Sequence, residues 1–190
     1  MKKTARLIVS LLALVLVLSG CSGSPNSGQS ADAASGLLER YGLASLSTDE
    51  IVEQLDQSDE QRPTELMGSV KPTELLLSDG EEQVSLEMPS DQFYISVAPY
   101  LSRTHDCFFH NTGTCQGELA DQPVHLNVTG ADGSVILDED VTTYANGFVG
   151  FWVPAGSSGT ITISQDGKTG SVPFSTGDQD ATCITTLKLT

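Results

Sequence analysis

The chain has 190 residues, of which 25 are acidic and nine basic, giving a net charge of −16 and a mean hydropathy of −0.06. So acidic a chain is a poor match for a phosphate backbone, so no nucleic-acid partner is expected. Motifs for phosphate loops, nucleophile elbows, paired carboxylates and calcium loops are also missing, which leaves the four cysteines and three histidines as the carriers of any chemistry.

Residues 1–21 read as an export signal: Lys2, Lys3 and Arg6 form a basic start and Leu7 to Leu18 an apolar run too short for a comfortable bilayer span. The run ends in Leu18-Ser19-Gly20-Cys21, which resembles the lipobox of bacterial lipoproteins. That resemblance implies cleavage before Cys21, lipidation of its sulfur, and anchoring at the outer face of the cytoplasmic membrane. An ordinary secretory signal with a free Cys21 is the alternative. Losing three of the nine basic residues leaves six against 25 acidic ones, a net charge near −19. Residues 22–35 are small and polar and read as a flexible tether.

From Gly36 to about Gln57 the apolar spacing predicts two short helical segments, with Leu37, Leu38 and Tyr41 on one and Ile51, Val52 and Leu55 on the next. Ser47 followed by Glu50 is a capping-box signature. Arg62-Pro-Thr-Glu-Leu is echoed at Lys71-Pro-Thr-Glu-Leu, which predicts two turn-plus-strand units, the second closed by Asp79-Gly80. Alternation then marks strands at Val84, Leu86, Met88 and at Phe93, Ile95, Val97. Leu101 to Gly117 reads as a loop-like connection. Beyond it, Val124, Leu126 and Val128 open a run of strands divided by Asp132-Gly133, by a hairpin signal at Asn146-Gly147 and by Asp166-Gly167, with a final strand from Ile184 to Leu189. The fold class expected is α+β, mainly β: a helical and strand lobe over 36–120 packed on an antiparallel β-sandwich-like lobe over 121–190.

The connection His105-Asp106-Cys107-Phe108-Phe109-His110-Asn111-Thr112-Gly113-Thr114-Cys115 concentrates soft sulfur and imidazole donors. If Cys21 carries lipid, Cys107, Cys115 and Cys183 remain, an odd number that disulfide stapling alone does not account for. Three thiolates, or two thiolates with His110 or His105, suit Cu(I); Cys-x2-His also suits zinc. Two thiols closing a disulfide release two electrons, enough to reduce two Cu(II). A loop disulfide between Cys107 and Cys115, with Cys183 merely buried, is the structural alternative, and a general thiol-disulfide module lacks the Cys-x-x-Cys pair such modules use. Phe108 and Phe109 read as core or as walls of the site, Trp152 as sandwich core, His125 as a solvated side chain, and Asp106 as a surface charge or an orienter of a histidine.

Taken together, Thr104-His105-Asp106-Cys107-Phe108-Phe109-His110, Cys115, Gly117-Glu118-Leu119, the late Cys183 and the upstream Lys71-Pro-Thr-Glu-Leu-Leu-Leu-Ser-Asp-Gly80 resemble the CueP family of periplasmic copper-binding proteins over about residues 36–190. The resemblance implies copper resistance outside the cytoplasm, Cu(I) held by Cys107, Cys115 and Cys183, reduction of Cu(II) by those thiols, and handover of copper to extracytoplasmic copper enzymes or exporters. The lipobox sets this chain apart from family members that are soluble in a Gram-negative periplasm.

Overall fold

The computed structural model describes residues 36–190. A helical turn at 36–40 precedes helix α1 (Thr48–Asp56), which begins with the expected capping box: the Glu50 carboxylate accepts the Ser47 backbone N–H at 2.8 Å. Strands β1 (Met67–Val70), β2 (Glu74–Ser78) and β3 (Gln83–Glu87) follow, and with the short β5 (His110–Asn111) they form an antiparallel sheet ordered β3-β2-β1-β5. A second antiparallel sheet, β10-β9-β6-β7, is built from β6 (Pro123–Gly130), β7 (Val135–Thr142), β9 (Ser158–Gln165) and β10 (Lys168–Ser175). The third, β11-β4-β8, joins β4 (Gln92–Val97) antiparallel to β8 (Val149–Pro154) and parallel to β11 (Cys183–Ile184). The chain is thus α+β and mainly β.

Strand β4 explains how these parts are held together, because a strand turns alternate side chains to opposite faces. Phe93, Ile95 and Val97 enter the interior between the second and third sheets, beside Val124, Leu126, Val128, Phe151, Ile161 and Ile163. Tyr94, on the other face, joins the core formed by α1 and the first sheet, with Ile51, Val52, Val70, Leu75 and Leu77. A third, small cluster contains Ala98, Cys115, Phe148 and Cys183, with Cys107 packed against it.

The turns follow their sequence signals, since Gly80, Gly133 and Gly167 all take positive φ, where a side chain would be strained. Asn146-Gly147 departs from expectation: β7 and β8 lie in different sheets, so this turn crosses between sheets and closes no hairpin. Its buried asparagine is drawn inward by a hydrogen bond to Asp56. The final strand is also shorter than alternation suggested. After Ile184 only an isolated bridge between Tyr100 and Lys188 remains, although Leu187 and Leu189 still point into the core. Trp152 lies against Tyr94 and the α1 core, 4.9 Å between ring centroids, and its indole N–H donates to Glu53, so it is not part of the sandwich interior.

Candidate metal centre

The connection from Leu101 to Gly117 makes few regular hydrogen bonds of its own and is pinned from three sides. Glu118 accepts the N–H groups of Leu101, Ser102 and Arg103 and the Ser102 hydroxyl, and these bonds, the hydroxyl foremost, hold its carboxyl down at about 2. The Thr104 hydroxyl donates to the Thr185 carbonyl at 2.6 Å. The Phe108 carbonyl accepts the N–H groups of Thr182 and Cys183, which ties the loop to the segment carrying the distant cysteine. Gly117 and Gly147 meet backbone to backbone, an approach that a Cβ on either would block.

These anchors bring the three sulfurs together. Cys107 and Cys183, 76 residues apart, are joined as a disulfide, and the Cys115 sulfur lies 3.5 Å from that of Cys107. The pairing therefore differs from the loop disulfide between Cys107 and Cys115 that spacing left open. The reason is that β11 pairs in parallel with β4, Cys183 opposite Ser96, which places the C-terminal sulfur over the loop. Cys115 is a free, buried thiol at the end of a tight turn in which its N–H donates to the Asn111 carbonyl and its sulfur accepts the Asn111 N–H.

Both expected histidines reach this cluster. His105, Cys107 and Cys115 offer donor atoms all within 4.8 Å of one another, and so do His110, Cys115 and Cys183. Cys115 is common to both groups. The rings of His105 and His110 pack on Phe148, with centroids 6.1 and 4.7 Å away. Phe108 and Phe109 meet edge to face but stand out towards solvent, so neither is core; Phe108 lines an open groove of about 530 Å³ that runs past Cys107 and Cys183. His125 lies on the second sheet between Asp138 and Asp140, 2.9 Å from each and half-exposed, as a solvated histidine would. Cys21 lies outside the described residues.

The residue that organises the centre is one that spacing did not single out. Asp56, the last residue of α1, is fully buried and its carboxylate accepts the Tyr94 hydroxyl at 2.7 Å, the Ser96 hydroxyl at 2.9 Å and the Asn146 amide at 2.6 Å. The other contact of that carboxylate is His110 Nε2, at 2.7 Å, so Asp56 and not the exposed Asp106 orients a histidine. Gly150 stands against this network; a side chain there would collide with the Tyr94 hydroxyl. The one available signal was a charge on the apolar face of a helix, four residues after the buried Val52. The His110 N–H is held by the Thr182 hydroxyl, which in turn donates to the Val70 carbonyl.

Burial by itself disfavours charge on both members of this pair, yet each is held charged by the other. Burial pushes His110 down, but the adjoining Asp56 carboxylate, aided by the nearby Cys115 sulfur, raises it to about 9. Burial pushes Asp56 up, but His110 and the hydroxyls of Tyr94 and Ser96 leave it below its ordinary value of 3.8. The histidine's contribution is complete below its ordinary value of 6.5 and is lost as pH rises through 9, and the aspartate's is lost as pH falls below 3.8. The thermal midpoint of the wild type should therefore exceed that of Asp56→Asn most clearly between these limits. The gap should narrow from pH 6.5 to beyond 9; a gap constant across that range would show that no such charged pair exists.

Comparison with known proteins adds two findings. The family model described as "Periplasmic copper-binding protein CueP" matches residues 50–188. A solved structure, the crystal structure of S.CueP, is 41% identical, aligns over 86% of this chain and 98% of its own, and superposes with a TM-score of 0.80. No curated protein matches the chain.

Proposed function

The chain belongs to the CueP family of periplasmic copper-binding proteins, and on that premise we propose that it captures copper outside the cytoplasm, holding Cu(I) through Cys107, Cys115 and Cys183 and reducing Cu(II) with the same thiols. The observation that carries this reading is the convergence of three sulfurs from distant parts of the chain, one pair already within bonding reach and the third free and buried beside it. Soft thiolates select Cu(I), and Phe148 packs beside the buried Cys115 and Cys183. Reduction is stoichiometric: the Cys107 and Cys183 thiols form one S–S bond, release two protons and pass one electron to each of two Cu(II) ions. Cys115 stays behind as a ligand. Zinc suits the same donors but has no use for a disulfide-forming pair. Lipidation of Cys21 would keep the protein at the membrane, within reach of extracytoplasmic copper enzymes or exporters that could accept its copper.

The test uses the full chain carrying Cys21→Ser, so that thiol counts report on the other three cysteines. Fully reduced protein mixed with Cu(II) and a Cu(I)-specific chelator without oxygen should yield about two Cu(I) per chain with the loss of two thiols. In Cys107→Ser/Cys183→Ser, a lone thiol has no partner in its own chain, and the yield should drop by roughly tenfold or more. A wild-type yield from that variant would sink the proposal.

A further inference from the structure

Among the described residues, the buried side-chain nitrogen and oxygen atoms without a hydrogen-bond partner are His105 Nε2 and His110 Nδ1. Buried polar atoms are nearly always paired, because an unpaired one forfeits its hydration with nothing in return, so two orphans in one place call for an explanation. Both belong to the rings that approach Cys115: a nitrogen of each histidine lies within 4.8 Å of the Cys115 sulfur. His110 is wholly buried, and its other nitrogen is committed to Asp56, which leaves Nδ1 as the free donor. The disulfide has meanwhile removed Cys107 and Cys183 as thiolates.

We propose that the disulfide form of the protein retains a Cu(I) site of its own, in which the Cys115 thiolate and the unpartnered nitrogens of His105 and His110 hold one ion. One thiolate and two imidazoles, His110 neutral once the metal has displaced its Nδ1 proton, are a soft, low-coordinate set suited to copper. Asp56 fixes the His110 tautomer by accepting its Nε2–H, and Phe148 backs both rings. The inference deepens the proposed function and rests on it. When Cys107 and Cys183 give up two electrons and two protons to form their S–S bond, two Cu(II) become two Cu(I); Cys115 releases its thiol proton and the His110 imidazolium its Nδ1 proton to solvent, one Cu(I) stays on Cys115 with the histidines, and the other leaves. Oxidation of the thiol pair would then leave the protein loaded rather than empty.

Oxidised protein, with Cys21→Ser and one free thiol by titration, should take up one equivalent of Cu(I) in anaerobic competition with a Cu(I)-specific chelator. X-ray absorption should show one sulfur and two nitrogen neighbours. Cys115→Ser should abolish uptake by the oxidised form. His105→Ala, at a half-buried position outside the Asp56 network, should weaken binding roughly tenfold without moving the thermal midpoint. Cys107→Ser/Cys183→Ser, unable to form the disulfide, should still bind one ion. An oxidised wild type that takes up no Cu(I), or an absorption spectrum without nitrogen neighbours, overturns the inference even if the reduced protein reduces and binds copper. Uptake by the oxidised form alongside failure of the reduction assay would overturn the redox reading and leave the site standing.

Discussion

Asp56→Ala is expected to lower the unfolding free energy by about 3–5 kcal/mol, the range for removing one partner from a buried charged pair. The carboxylate has no exposure, and its loss would strand His110, the Tyr94 and Ser96 hydroxyls and the Asn146 amide in the interior at once. Those groups come from β4, β5 and the turn before β8, while Asp56 itself ends α1, so the damage would not stay local. Urea unfolding followed by Trp152 fluorescence, with an unchanged denaturant slope, is the measurement. A change below about 1 kcal/mol, the scale of one ordinary hydrogen bond, would mean that the network is not the anchor described. Asp56→Asn keeps the shape and should be milder in stability. It should still weaken Cu(I) binding in the 10- to 100-fold range typical of lost outer-sphere support, because His110 would lose the acceptor that sets its tautomer.

Reducing the Cys107–Cys183 disulfide should lower stability by about 4 kcal/mol, as loop-closure entropy predicts for a crosslink spanning this much chain. The separation is 76 residues and encloses all the strands from β5 to β10, so the crosslink restricts a large part of the unfolded chain. Cys183→Ser should match the reduced wild type and be insensitive to added reductant. Denaturation midpoints measured with and without reductant decide the matter: equal midpoints for the wild type would show that the crosslink does not form in solution. Bound Cu(I) should restore part of the lost stability to the reduced protein, because a ligand that binds only the folded state stabilises it by mass action.

Much of the secondary structure was legible in the residues, because alternation and turn chemistry act over a few positions. The capping box at Ser47, the turns at Asp79-Gly80, Asp132-Gly133 and Asp166-Gly167, and the strands of the second sheet all follow from such local rules. Misreadings came where a distant partner overrode the local signal. Asn146-Gly147 has hairpin composition, but the amide of Asn146 is held by Asp56, 90 residues earlier. Phe108 and Phe109 look like core by type, yet the loop's ties to Thr182, Cys183 and Thr185 leave them outside.

The same division holds for the centre itself. The sequence alone determined that soft donors cluster between His105 and Cys115 and that an odd thiol is left over, since ligand type and count are properties of composition and short spacing. Only the tertiary structure decided which cysteines pair, that Cys115 stands between two histidines, and that Asp56 holds one of them. Those outcomes depend on β11 pairing with β4 and on α1 ending beneath the site. A contact between groups 54 or 76 residues apart leaves no local signature, because it is set by how whole elements pack.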